Sequence, residues 1–126
     1  MDLVQAVAAS RPVIISGPTP YGLEHAARVV AAMLPSDAPI AYVYPSTEHG
    51  RVLAAADYAQ GGALVVDGYP WMPEDSWGPI RDAVDYGRVL LIVLATTEEL
   101  DRFPPDPWLA DRLGCQVAAL DLIDDV

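Results

Sequence analysis

Apolar residues recur along the chain in two patterns. Val13-Ile14-Ile15, Ala63-Leu64-Val65-Val66 and Val89 to Ala95 are uninterrupted apolar runs bounded by Gly, Pro, Asp or Arg. A strand that is apolar on both faces belongs in the middle of a parallel sheet covered by helices. Between Gly22 and Leu34 the pattern changes, with Ala26, Val29, Val30 and Met33 at helical spacing, which predicts an amphipathic helix ended by Pro35-Ser36-Asp37. Further helices are expected over about 48–58 and 74–86, with short ones over 97–103 and 106–113. A lead-in helix over 2–10 is stopped by Arg11-Pro12. Strands at Ile40 to Tyr44 and Cys115 to Leu120 bring the total to five. The alternation predicts one three-layer α/β/α domain over residues 1–126, with a five-stranded, mainly parallel sheet. There is no linker, internal repeat or low-complexity tract.

Composition narrows the chemistry. The chain has 126 residues, 52% of them hydrophobic, so it is long and apolar enough to bury a real core. Its formal net charge is −11, and all seven basic residues are Arg. Without any Lys there is no Schiff-base amine and no ammonium to hold a phosphate. The acidic balance argues against direct binding to a nucleic-acid backbone, which needs clustered cations. Cys115 is the single cysteine, so no internal disulfide can form, and it reads as a small core residue. His25 and His49 lack zinc spacing, and no metal site is expected. The start Met1-Asp2-Leu3 lacks the positive region of a signal peptide, and no apolar run is long enough to cross a bilayer. The protein is expected to be cytoplasmic, with no membrane partner. The Lys-free, Ala- and Val-rich composition suggests a GC-rich bacterial or phage source.

The stretch from Val13 to Leu34 reads as strand, Gly- and Pro-rich turn, then helix, which is the outline of a phosphate-binding loop. In G-x-x-x-x-G-K-[ST], backbone N–H groups curl round the phosphates, the Lys neutralises them and the hydroxyl holds Mg²⁺. Gly17, Pro18, Thr19 and Gly22 keep the frame, but Leu23 stands where the Lys belongs and Glu24 where the Ser or Thr belongs. Pro20 removes one N–H donor from the loop. Glu24 suits the macrodipole of its own helix and repels a triphosphate. Loss of a charge-assisted Lys–phosphate bond of roughly 1.5–3 kcal/mol corresponds to about one to two decades in affinity. The plainer reading is a tight βα turn.

Ligands of open α/β sheets sit at the carboxyl ends of the strands. Here those ends carry Ser16-Gly17, Asp67-Gly68 and Thr96-Thr97. With Gly17 to Gly22, Ala59 to Asp67, Leu91 to Glu98 and Ala110-Asp111-Arg112-Leu113 in that order, the chain resembles a degenerate AAA+ ATPase core, a P-loop NTPase. The middle part resembles bacterial enhancer-binding ATPases, in which a Gly-Gly pair precedes the strand, as Gly61-Gly62 does here. The last part resembles clamp-loader and branch-migration ATPases.

The resemblance implies that Asp67 is the metal carboxylate, Thr97 the sensor and Arg112 the arginine that reaches a neighbouring subunit's nucleotide. It also implies departures. Gly68 replaces the Glu that orients the attacking water, Leu23 replaces the Lys, and neither the lid domain nor the pore-loop insertion is expected within residues 1–126. Plain structural roles exist for the same residues. Asp67 would cap the next turn, Thr97 would N-cap a helix before Glu98-Glu99, and Arg112 would complement a helix dipole. Tyr69, Trp71 and Trp77, in or near the Pro-rich loop, are candidates for partner contact if exposed, and a seal over the sheet edge if buried.

The expected function is a catalytically inactive pseudo-ATPase acting as a protein-interaction or regulatory module on an AAA+ ATPase or a replication or transcription factor. No resident cofactor is expected, and ATP with Mg²⁺ would bind weakly at most. The alternatives are a weak ATP-binding ATPase subunit that oligomerises and contributes Arg112 in trans, and an acidic mimic of DNA.

Overall fold

The three longest apolar runs form the middle of the sheet, because only there are both faces of a strand removed from water. In the computed structural model, which describes residues 1–123, the chain runs α1 (Leu3–Ala8), β1 (Val13–Gly17), α2 (Leu23–Ala31), β2 (Ile40–Val43), α3 (His49–Tyr58), β3 (Ala63–Asp67). It continues with a 3₁₀ turn (Tyr69–Trp71), α4 (Glu74–Tyr86), β4 (Leu90–Thr96), α5 (Thr97–Arg102), α6 (Pro107–Arg112), β5 (Cys115–Ala118) and a 3₁₀ turn (Ala119–Asp121). The last three positions of the expected 1–126 domain lie outside the described residues.

The strand order is β2-β3-β4-β1-β5, and every pairing is parallel, where a mainly parallel sheet was expected. Every residue of β1, and β4 up to Ala95, is buried. The outer strands β2 and β5 are only four residues each and half-buried, which keeps the unpaired edges short. On one face Ile14, Leu64, Val66, Leu91 and Val93 pack with α3, α4 and Leu109 of α6. On the other, Val13, Ile15, Val65, Leu90, Ile92 and Leu94 pack with α1 and α2. Alternate residues of each strand thus feed opposite cores, as the period of two demands. No helix among the described residues is long and apolar enough to cross a membrane.

Three expectations are corrected. α2 ends at Ala31, with its C-cap at Ala32, three residues short of Leu34. Its buried stripe is Leu23, Ala26, Ala27, Val30 and Ala31, with Met33 exposed and Val29 on the flank. The reason is that Leu23 enters the core as the first helical residue, which turns the buried stripe one position later, onto Ala27, Val30 and Ala31 at four, seven and eight residues from it. Cys115 is half-buried on the edge strand β5 and not enclosed in the core, and burial pushes its thiol pKa up.

Candidate functional site

The chain steps from β1 out to β2, returns through β3 and β4 to the near side of β1, and then places β5 on its far side. This reversal is the switch point at which such sheets bind ligands. At its carboxyl edge Gly17 is level with Thr96, and Asp67 is level with Leu94 on the next strand. The Gly17 to Gly22 loop, Asp67 and the start of α5 therefore share one rim, as the spacing required.

The loop itself carries Pro18, Thr19, Pro20 and Tyr21 exposed to solvent. Gly22 is in the left-handed region at φ 81° and leads into α2 with no side-chain cap, a conformation glycine adopts without a steric penalty. Leu23 does not face the space a phosphate would take. It is 4% exposed, belongs to the core under α2, and its Cδ2 lies 3.5 Å from where a Cβ on Gly17 would stand. Its N–H already donates to Pro20 O at 3.3 Å. Position 23, where a phosphate-binding motif would carry its lysine, thus holds a buried apolar side chain packed in the core with β1.

The charges around the loop have the wrong sign for a polyphosphate. Burial, followed by the nearby charges of Glu24 and Glu99, pushes the Asp67 carboxyl up from its ordinary value. Burial, then Glu24 and Asp67, likewise push the Tyr44 phenol up at the end of β2, with Arg28 opposing. Arg28 pairs with Glu24 at 3.5 Å on the exposed surface of α2, a geometry that contributes little. Among the described residues no three His, Cys, Asp or Glu side chains converge to hold a metal ion. Gly68 sits at φ +80°, and a Cβ there would lie 3.2 Å from Pro45 Cγ, so a glutamate at this position is strained as well as crowded.

The expected local roles of Asp67 and Thr97 differ in detail from the structure. The turn after β3 begins at Gly68 without a side-chain cap, so Asp67 does not cap it. The N-cap of α5 is Thr96, with Thr97 exposed as the first helical residue. Thr96 Oγ1 accepts from the Glu99 N–H at 3.1 Å, and Glu99 Oε1 accepts from the Thr96 N–H at 2.8 Å. This reciprocal pair is the Thr-x-x-Glu capping box, a signal present in the sequence one residue before the expected cap. Glu99 and Tyr44 are the rim residues that sequence reasoning missed. Glu99 was legible through that box, whereas Tyr44 reaches the rim only because β2 pairs in parallel with β3, with Val43 level with Val66, so that the next residue comes beside Asp67.

Arg112 lies at the opposite edge of the sheet, on the last turn of α6 before β5, and its guanidinium is engaged within the chain. Its Nε and Nη2 donate to the two oxygens of Asp85, the latter at 3.2 Å, and Nη1 donates to Trp108 O at 2.9 Å. The guanidinium also stacks 4.8 Å from the Trp108 ring, whose Nε1 donates to Asp85 Oδ2 at 3.0 Å. The Arg112 and Trp108 hydrogen bonds hold the Asp85 carboxyl below its ordinary pKa. The three candidate contact residues separate by exposure: Tyr69 is buried, Trp77 half-buried against the core, and Trp71 is 58% exposed. Trp71 is nonetheless held, by its Nε1 donating to Glu99 Oε2 at 3.1 Å and by edge contact with Phe103 at 5.1 Å.

The all-parallel five-stranded sheet, with a loop after β1 at the switch point and covering helices on both faces, is an α/β fold of the P-loop NTPase type. Solved structures agree. The RuvB Holliday junction branch migration motor of Thermotoga maritima superposes with a TM-score of 0.66 at 18% identity, over 92% of this chain and 42% of that one. NtrX from Brucella abortus superposes at 0.70 and 17% identity, over 95% of this chain and 36% of that one. A RuvB mutant from Thermotoga maritima gives 0.69 and 17%, over 92% and 42%. The chain thus spans less than half the length of these proteins, and at such identities the likeness concerns the fold alone. No protein-family model and no curated protein sequence matches the chain.

Proposed function

We propose that the protein is a pseudo-ATPase, a P-loop NTPase fold that binds no nucleotide productively and acts as a protein-interaction or regulatory module. The observation that carries this reading is Leu23, buried at 4% exposure in the position of the phosphate-binding cation. The acidic rim of Glu24, Asp67 and Glu99 and the strained Gly68 position support it. Phosphate charge is neutralised in this fold by a lysine and a metal, and electrostatic stabilisation of that kind supplies the largest part of catalysis. The chain has no lysine, and the side chain in that position is the buried Leu23. The engagement of Arg112 by Asp85 and Trp108 counts against a role in a neighbour's nucleotide site. An AAA+ ATPase or a replication or transcription factor is the proposed class of partner.

The test is thermal unfolding with and without millimolar ATP and Mg²⁺. An unmoved midpoint is expected. A ligand at 100 times its Kd stabilises by about 2.7 kcal/mol, so specific binding would be seen as a rise of several degrees and would overturn the reading.

A further inference from the structure

α3 and α4 each carry the chain from one parallel strand to the next, so they pack side by side and both run towards the amino edge of the sheet. Between them lies a groove of about 330 Å³. Ala56 and Ala83, both buried, form its floor, and Leu53 and Asp57 of α3 face Pro79, Asp82 and Tyr86 of α4 across it. Leu53 is 49% exposed and Tyr86 88%. Gln60 closes one end, its Oε1 accepting from the Arg88 N–H at 2.9 Å and its Nε2 donating to Ala56 O at 3.3 Å. The groove is electronegative for three separate reasons. Two helix C-termini close on it, at Ala59 and Gly87, each equivalent to about half a negative charge, and neither helix has a basic residue in its last turn. Asp57 stands in the last turn of α3 and Asp82 one turn before the end of α4, where a carboxylate is unfavourable to its own helix. Pro79 has no N–H, so the Asp75 carbonyl four residues earlier lacks its helical donor. Among the described residues neither Asp57 nor Asp82 joins an ion pair or a side-chain hydrogen bond, and the exposed Arg88 next to Gly87 pairs with neither. Asp85, Asp106 and Glu74, by contrast, are held by Arg112 and Arg81. An occupant with an apolar face and cationic flanks answers both the shape and the charge. Leucine-sized side chains fill the space over Ala56 and Ala83, and Lys or Arg stems lie along Leu53 and Tyr86 to reach the two carboxylates. An extended segment would instead bring unpaired backbone groups to a wall of helices that offers them no ladder.

We propose that the α3–α4 groove is the docking site for a basic amphipathic helix of a partner protein, its apolar face over Ala56 and Ala83 and its cations at Asp57 and Asp82. The proposal deepens the interaction-module reading and rests on it. The test uses the whole chain, labelled with ¹⁵N, titrated with an 18-residue helical Leu/Lys peptide whose leucines share one face. Two control peptides have the same composition in scrambled order, and Glu in place of Lys. The Leu/Lys helix is expected to shift the amide signals of Ala56, Asp57, Ala83 and Gly87 saturably and to leave those of Cys115 to Ala118, on the far edge strand, in place. Asp57→Asn with Asp82→Asn should weaken binding about tenfold, the equivalent of one charge-assisted bond, without lowering the melting midpoint, because each acid opposes its own helix end. Leu53→Ser with Tyr86→Ser, both exposed in the free chain, should lose a similar factor and stay folded.

Four results would overturn the proposal. They are no saturable shift at Ala56 or Ala83 up to millimolar peptide, equal binding of the scrambled peptide, and an equal loss of affinity from Asp101→Asn with Asp121→Asn, exposed acids that line no part of the groove. The fourth is a dimer of the free chain in sedimentation that Tyr86→Ser breaks, which would make the occupant a second copy. Any of these with ATP still failing to raise the melting midpoint would remove the groove and leave the pseudo-ATPase reading standing. A rise of that midpoint with ATP would remove the pseudo-ATPase reading itself.

Discussion

Replacing Leu23 by Ala tests whether the side chain in the cation's place holds α2 to the sheet. If the loop were an open cradle with a vacated position, truncating an idle side chain there would change stability by less than about 0.5 kcal/mol. Instead, Leu23 is 4% exposed, shares a core with Ala26, Ala27 and Val30 of its own helix and with Val13 and Ile15 of β1, and reaches within contact of Gly17. Leu→Ala at enclosed sites costs about 2–5 kcal/mol, the spread depending on how far the site collapses. The solvent-exposed loop above Leu23 allows some collapse, so the lower half of that range applies, about 2–3 kcal/mol. Unfolding entropy of about 2.1 cal/mol/K per residue makes each kcal/mol worth about 4 °C for a chain of this length, so the midpoint should fall by about 8–12 °C. Circular dichroism melts, with urea titrations to confirm an unchanged slope, measure it. Glu24→Ala, one residue on and exposed, is the control, expected within about 0.5 kcal/mol of the parent. A drop below about 2 °C for Leu23→Ala would refute the reasoning.

Other consequences concern charge and capping. The folded-state pKa of Asp67 is raised above its ordinary value of 3.8, so its charge opposes folding at neutral pH and that penalty disappears as pH falls through the folded pKa. Asp67→Asn should therefore melt higher than the parent at pH 7, and the gap should close as pH is lowered towards 3.8; an equal gap at every pH would contradict the burial of that charge. Asp85 has the opposite sign: its pKa is lowered by Arg112 and Trp108, so its contribution is present above the ordinary carboxylate value and is lost below it. Asp85→Asn should cost about 1 kcal/mol at pH 7, after discounting for the partial exposure of the pair, and nothing in acid; urea titrations at the two pH values decide. Thr96→Ala removes the side-chain half of the α5 capping box and should cost about 1 kcal/mol, read as a melting midpoint about 4 °C lower, whereas Thr97→Ala should be near neutral.

Local signals were sufficient for nearly all of the secondary structure. β3 and α4 have the bounds that apolar continuity, Pro73 and Gly87 imply, because these breakers act on their own neighbours. The shared rim of Gly17, Asp67 and Thr96 followed from the ends of the three most apolar strands, since a parallel sheet has one carboxyl edge and those strands are its three central ones, whereas the strand order itself came only with the structure. The phase of α2 was not legible. A helix with apolar residues at 23, 26, 27, 29, 30 and 33 offers two overlapping stripes, and packing against β1 chose the one led by Leu23. The same holds for Arg112, whose bond to Asp85 joins residues 27 apart in sequence. Tyr69 likewise shows no sign in sequence of being buried while Trp71, two residues on, is exposed. Hydrophobic period and breaker residues act within a few positions of the chain, so they are written into it directly. Which face turns inward, and which charge meets which, depends on surfaces that become neighbours only when the layers close.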